Sequence, residues 1–147
     1  MIPIGKVYKR NLSVIRRKIV LRIGTPLPVE KFFELLANNI KGHKTTVFDV
    51  NVYLDSNRYK MFQEKGVTCA HCGREGKLFI MEKHLLNDVS PHFNLYAIDP
   101  NGKLVLMTKD HIIPKSKGGS SKLSNLQPLC SKCNNKKGNR MEGESYV

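Results

Sequence analysis

The run DHIIPKSKGGSSKLSNLQPLCSKCNNKKGN, residues 110–139, decides how this chain is read. It opens on a carboxylate beside an imidazole, Asp110-His111, and approaches its end through two cysteines, Cys130 and Cys133, in C-x-x-C spacing. Between them lies a Lys/Gly/Ser segment, IPKSKGGSSKLS, too polar to form core and too basic to be idle. NLQPL then reads as a short extended piece, and Ser131 to Gly138 as a short helix opening at the cysteine pair.

Upstream, NLYAI and KLVLMTKDH read as two strands joined by Asp99-Pro100-Asn101-Gly102, whose proline and glycine suit consecutive turn positions. The hairpin delivers Asp110 and His111 at the end of its second strand. Earlier still, CAHCG at residues 69–73 supplies a second C-x-x-C pair, Cys69 and Cys72, and no cysteine is left over. Two turns of this shape can set four thiolates tetrahedrally around one structural Zn²⁺. With all four positions taken by thiolate there is no place for water, so this zinc holds structure and performs no chemistry. Two disulfides, or a redox C-x-x-C, are the alternatives. His71 is a bystander on the knuckle.

CAHCG, followed much later by the 110–139 run, resembles the HNH endonucleases of the ββα-metal fold. The resemblance extends over residues 69–139 at its outer limits, and its specific part runs from Asp110 to Asn139. A DH pair, an NL pair and a C-x-x-C-N-x-x-K ending in that order are far less accidental than any one of them. The implied fold class is α+β: a ββα-metal nuclease core with a structural zinc site, joined to an N-terminal basic α/β extension. The implied activity is hydrolysis of DNA to products with 5′-phosphate and 3′-hydroxyl ends, in bacterial or phage-infected cells.

The residues support that chemistry in their own right. Phosphodiester hydrolysis needs a water nucleophile, a base for its proton, and positive charge where the phosphate and leaving oxygen gather negative charge. His111 is the only histidine beside a carboxylate and titrates in the useful range, so it is the candidate general base. Asp110 can give a carboxylate oxygen to a divalent cation and Asn134 an amide oxygen. Alternation along a strand sends neighbouring side chains to opposite faces, so a twist or bulge must bring Asp110 and His111 to one site. Asn134 stands where the family often has histidine. An all-oxygen pair favours Mg²⁺ or Mn²⁺ over zinc or nickel at this catalytic position.

Asn125 occupies the middle motif position, where the resemblance implies an amide bonded to the loop backbone that keeps His111 aimed. Lys137 matches a basic position on the family's metal helix, where it would touch phosphate. Lys115, Lys117 and Lys122 read as clamps on the DNA backbone, since lysine serves phosphate as a mobile point charge. Because Asn134 directly follows Cys133, the structural metal should position a ligand of the catalytic one. His43, His84 and His92 belong to no motif.

Composition agrees with a polyanionic partner. The chain has 147 residues, 25 Lys and Arg against 12 Asp and Glu, and a net charge of +13. Seven basic residues and no acid stand between Met1 and Val29 (Lys6, Lys9, Arg10, Arg16, Arg17, Lys18, Arg22), and no acid follows Asp110 until Glu142. Two basic blocks thus flank a mixed middle, as a surface tracking DNA phosphates requires. No apolar run is long enough for a signal peptide or a membrane span, which points to the cytoplasm and no membrane partner.

The rest is read coarsely. Residues 6–23 suit a strand or a basic arm. Gly24-Thr25-Pro26 looks like a turn, and PVEKFFELLANNI an amphipathic helix stopped near Gly42. TTVFDVNVYL reads as one strand, and Ser56 or Asn57 as the cap of a helix ending at Gly66. KLFIMEKHL reads as a strand. The expected division is a DNA-contacting accessory segment, 1–55, a nuclease domain, 56–141, and a frayed tail, 142–147. Three questions stay open: a zinc-stapled binding module without catalysis, a branched-DNA or RNA substrate in place of duplex DNA, and double-strand cutting by a homodimer or by two successive nicks.

Overall fold

The computed structural model describes residues 13–15, 18–39, 44–86, 88–138 and 140. Lys6, Lys9, Arg10, Arg16, Arg17 and His43, the helix stop expected near Gly42 and the tail from Met141 lie outside the described residues. The chain divides into two compact units, one of Met1–Asp55 with Leu78–Asn94, the other of Ser56–Lys77 with Leu95–Val147. No helix among the described residues is long and apolar enough to cross a membrane.

In the first unit, β1 (Ser13–Ile15) pairs antiparallel with β2 (Lys18–Pro28), so the described part of the basic N-terminal segment is strand. Gly24-Thr25-Pro26 does not end that strand. The pairing of β2 with β5 (Gly76–His84) continues past it after a register shift between Ile23 and Leu27, an irregularity within a longer strand. The φ of +74° at Gly24 is open to glycine, and a Cβ there would overlap the Phe48 ring.

Pro28 then precedes α1 (Val29–Ala37), consistent with proline's fitness for a helix start. Its inward anchor is Phe32, fully buried, stacked on Phe79 at 3.9 Å between centroids and 4.9 Å from Phe93. Burying a phenylalanine in this way contributes about 1.5–3 kcal/mol. TTVFDVNVYL is two strands and not one: β3 (Lys44–Val47) and β4 (Val50–Tyr53) form a hairpin whose turn residues Phe48 and Asp49 both have positive φ. A two-residue turn of that hand matches strand twist, but it usually carries Asn or Gly, so the sequence hid it.

The second unit starts with α2 (Asn57–Lys65), capped by the Ser56 hydroxyl, which accepts from Tyr59 N, and closed at Gly66 with φ +92°. Tyr59, Met61 and Phe62 are its buried side chains. β6 (His92–Ile98) and β7 (Leu104–His111) form the expected hairpin around residues 99–103, where Asp99 Oδ1 accepts from Asn101 N and Lys103 N, each at 2.9 Å. β8 (Leu126–Cys130) runs antiparallel to β7, and α3 (Ser131–Lys137) packs on both. These last three elements are the ββα unit of the α+β fold read from the sequence. Leu126, Leu129 and Met107 pack its interior.

Candidate active site

Cys69 and Cys72 sit on the turn before β5, and Cys130 and Cys133 at the start of α3. Their four sulfur atoms all lie within 4.8 Å of one another, and none is in a disulfide. Each pair forms a tight knuckle, with Cys72 N donating to Cys69 Sγ and Cys133 N to Cys130 Sγ. Ala70 N donates to Pro128 O at 2.8 Å, tying the first knuckle to β8.

Burial opposes charging the Cys69 thiol, yet backbone donors bring it down to about 7. Burial and the neighbouring thiols push Cys133 far up, and burial raises Cys72. Several thiolates crowd together at this distance only when a cation joins them. An all-sulfur, closed set of this kind suits Zn²⁺.

At the far end of β7, Asp110, His111 and Asn134 line one cleft of about 300 Å³, together with Lys109, Pro114, Lys115, Ser116 and Gly138. No bulge brings Asp110 and His111 together. The pairing of β7 with β8 runs without a shift through Asp110↔Gln127 and His111↔Leu126. The cleft lies at the strand's last residue, so both faces of the strand can border it.

Thr108 and Asp110 share the face on which α3 lies, as two residues apart on a strand must. Asn134 Nδ2 donates to Thr108 Oγ1 at 2.8 Å, while that hydroxyl donates to Leu129 O at 2.8 Å. With its proton given to the carbonyl, Thr108 can only accept from the amide, and this fixes which way Asn134 is turned. The Asn134 oxygen is therefore directed away from Thr108. An oxygen pair from Asp110 and Asn134 in one cleft fits a hard divalent cation.

Asp110 is 7% exposed and Lys137 only 2%. Lys137 Nζ donates to Asp110 Oδ2 at 2.5 Å, to His111 O at 2.7 Å and to Ile112 O at 3.3 Å. Gln127 Nε2 reaches the same Oδ2 at 3.0 Å. Lys137 is thus not placed against solvent, where a phosphate contact would need it. All three protons of its ammonium are taken by acceptors inside the unit.

These positions follow one another along a single stretch of chain, and residues 99–140 match the family model of the HNH endonucleases. The chain carries an HNH domain there. No curated protein and no solved structure matches the chain. The match stops short of Cys69 and Cys72, so the first half of the thiol cluster reaches the HNH domain through the fold.

Asn125, within the domain, binds the loop backbone three times: its Oδ1 accepts from Ile113 N at 2.9 Å, and its Nδ2 donates to Ile113 O at 3.1 Å and Ser120 O at 2.7 Å. Asn125 O also accepts from Ile112 N at 2.8 Å. Gly119 lies so close beneath this bracket that a Cβ would overlap the Ile113 carbonyl. That close approach demands glycine. Ser121 Oγ stands 3.4 Å from His111 Nε2.

Burial holds the His111 imidazole below its ordinary titration range, and the charges of Lys115 and Lys109 add to this. His111 is accordingly neutral at neutral pH. Lys115, Lys117 and Lys122 of the HNH domain are exposed.

Thr108 and Gln127 went unnoticed in the sequence. Thr108 stands two residues before Asp110, and the period of a strand would have put it on the same face. Gln127 gave no signal, because its pairing opposite Asp110 depends on the β7–β8 register.

Proposed function

We propose that the chain is a divalent-cation-dependent endonuclease that hydrolyses DNA phosphodiester bonds, with His111 as general base. The observation that carries this reading is the convergence of Asp110, His111 and Asn134 on one cleft in the HNH domain, beside exposed Lys115. Asp110 and Asn134 would hold Mg²⁺ or Mn²⁺, which supplies positive charge to the scissile phosphate and the departing 3′ oxygen.

His111 takes the proton of the attacking water. Its lowered basicity keeps it unprotonated near neutral pH, the state a base needs. Asn125 keeps the loop after His111 in one conformation, so the ring stays aimed. Lys115, Lys117 and Lys122 engage neighbouring phosphates and set the register of the duplex. A Zn²⁺ ion in the thiol cluster fixes the start of α3, and with it Asn134, the residue after Cys133. Residues 56–141 form the nuclease domain in this reading, and residues 1–55 a basic segment that contacts DNA.

The test is a supercoiled plasmid incubated with zinc-loaded protein and Mg²⁺ or Mn²⁺, with a chelated control. Cation-dependent conversion to open circles is expected. A mobility shift with no nicking under either cation would make the protein a binding module. Competition among linear duplex, four-way junction and RNA then assigns the substrate, with duplex DNA expected to compete best.

A further inference from the structure

Lys137 is the one buried lysine among the described residues, and its surroundings do not suit the phosphate contact its sequence position implies. An ammonium has three protons and no acceptor, and here the three meet a carboxylate and two consecutive carbonyls. Reaching a phosphate would strip all three contacts from a group that is 2% exposed.

The acceptors themselves are informative. Asp110 receives both of its bonds, from Lys137 and Gln127, on Oδ2, and none of the described bonds uses Oδ1. The carbonyls are those of His111 and Ile112, where the β7–β8 ladder ends, and the N–H of Ile112 is held from the other side by Asn125 O. One cation therefore ties down both the carboxylate and the backbone that carries the imidazole.

We propose that Lys137 is a positioning residue: with Gln127 it grips Asp110 by Oδ2, leaves Oδ1 as the single oxygen offered to the divalent cation, and sets the backbone of His111. The inference rests on the nuclease reading above for the identity of that cation site. Arginine cannot take over, because its planar fork spreads donors that here must converge on a point.

The experiment compares Lys137→Met, Lys137→Arg and Gln127→Leu in the full zinc-loaded chain carrying His111→Ala, so that DNA is bound but not cut. Zinc content and circular dichroism report folding. Fluorescence anisotropy with a duplex in chelator, across a salt series, reports phosphate contacts. Electron paramagnetic resonance of added Mn²⁺ with the duplex present reports the cation site.

Lys137→Met is expected to keep the wild-type salt slope and duplex affinity while weakening Mn²⁺ binding about tenfold or more, a larger loss than removal of one ordinary hydrogen bond. Lys137→Arg is expected to share the defect. A salt slope reduced by about 0.9 with unchanged Mn²⁺ affinity is the signature of a lost phosphate contact and overturns the proposal. So does an arginine variant that binds Mn²⁺ as wild type does.

Should Lys137→Met lose its zinc, half-buried Gln127→Leu decides. Mn²⁺ binding weakened several-fold at unchanged duplex affinity supports the proposal, and unchanged Mn²⁺ binding defeats it. If the chain with His111 intact nicks no nucleic acid but Mn²⁺ binding still depends on Lys137, the nuclease reading fails and the positioning role stands. If it nicks, and the variants bind Mn²⁺ normally, the reverse holds.

Discussion

In the loop after β7, Lys115, Lys117 and Lys122 stand exposed around Gly118 and Gly119, whereas in α3 the exposed Lys132 and Lys136 share a helix with Lys137, which is buried. The two regions have similar composition and opposite uses for it. In the loop, charge stays in water, where it is available to a polyanion and is screened by salt. In the helix, one charge has been withdrawn from water, which is tolerated because a carboxylate and two carbonyls replace the lost hydration. Breaking one side of such a buried pair costs about 3–5 kcal/mol. In the proposed reading the loop is therefore the region for substrate contact, and the helix the region that holds the cleft together.

The sharpest way to break this contrast is to unfasten the helix. Cys133→Ser removes one thiolate from the cluster at the start of α3, and a structural zinc site of this kind contributes on the order of 10 kcal/mol to folding. Loss of bound zinc, loss of the cooperative melting transition and no detectable nicking are expected together. A variant that loses its zinc yet nicks at the wild-type rate would separate the cluster from the cleft.

A smaller effect is expected in the loop's framework. Gly119→Ala places a methyl against the Ile113 carbonyl, so the bracket made by Asn125 must open and His111 must move with it. Misplacing a reacting group by about 1 Å can cost up to about 100-fold. Nicking is expected to fall by about 10- to 100-fold, with zinc content and duplex affinity unchanged. A variant as active as wild type would mean the loop does not aim the base.

The smallest effect belongs to a loop lysine. Lys115→Gln should lower the salt slope of duplex binding by about 0.9, the behaviour of a phosphate contact that Lys137 should not show. It also bears on pH. The His111 pKa lies below its ordinary value through burial first and Lys115 second, and in the proposed mechanism the imidazole works only when neutral. Activity thus rises with pH through that pKa. Removing the Lys115 charge moves the pKa upward, so the acid limb of the rate profile should shift to higher pH in Lys115→Gln. A shift to lower pH would contradict the electrostatic account.

How far the sequence could be read depends on the kind of interaction involved. The second hairpin, the capped helix at Ser56 and the paired cysteines rest on local rules, and they were legible. The single strand expected at TTVFDVNVYL was not, because two positive-φ residues, Phe48 and Asp49, are unusual choices for a two-residue turn. Gly24 looked like a chain reversal because its conformational freedom is shared by turns and bulges alike. At the site, the motif marked Asp110, His111, Asn125 and Asn134 as candidates. It was silent on Thr108 and Gln127, whose contacts depend on strand face and register. It did not announce the burial of Lys137, because a lysine's exposure is set by the acceptors around it, and these come from residues 110–112, far away in sequence.

The most direct measurement is single-turnover nicking of supercoiled plasmid by wild type and His111→Ala side by side, with Mg²⁺ or Mn²⁺ and with zinc content and duplex affinity matched. A general base contributes about 100- to 10,000-fold. The variant should fall by that order while binding zinc and DNA as wild type does. Equal rates, or no nicking by either protein under either cation, would contradict the assignment of this cleft as the seat of hydrolysis.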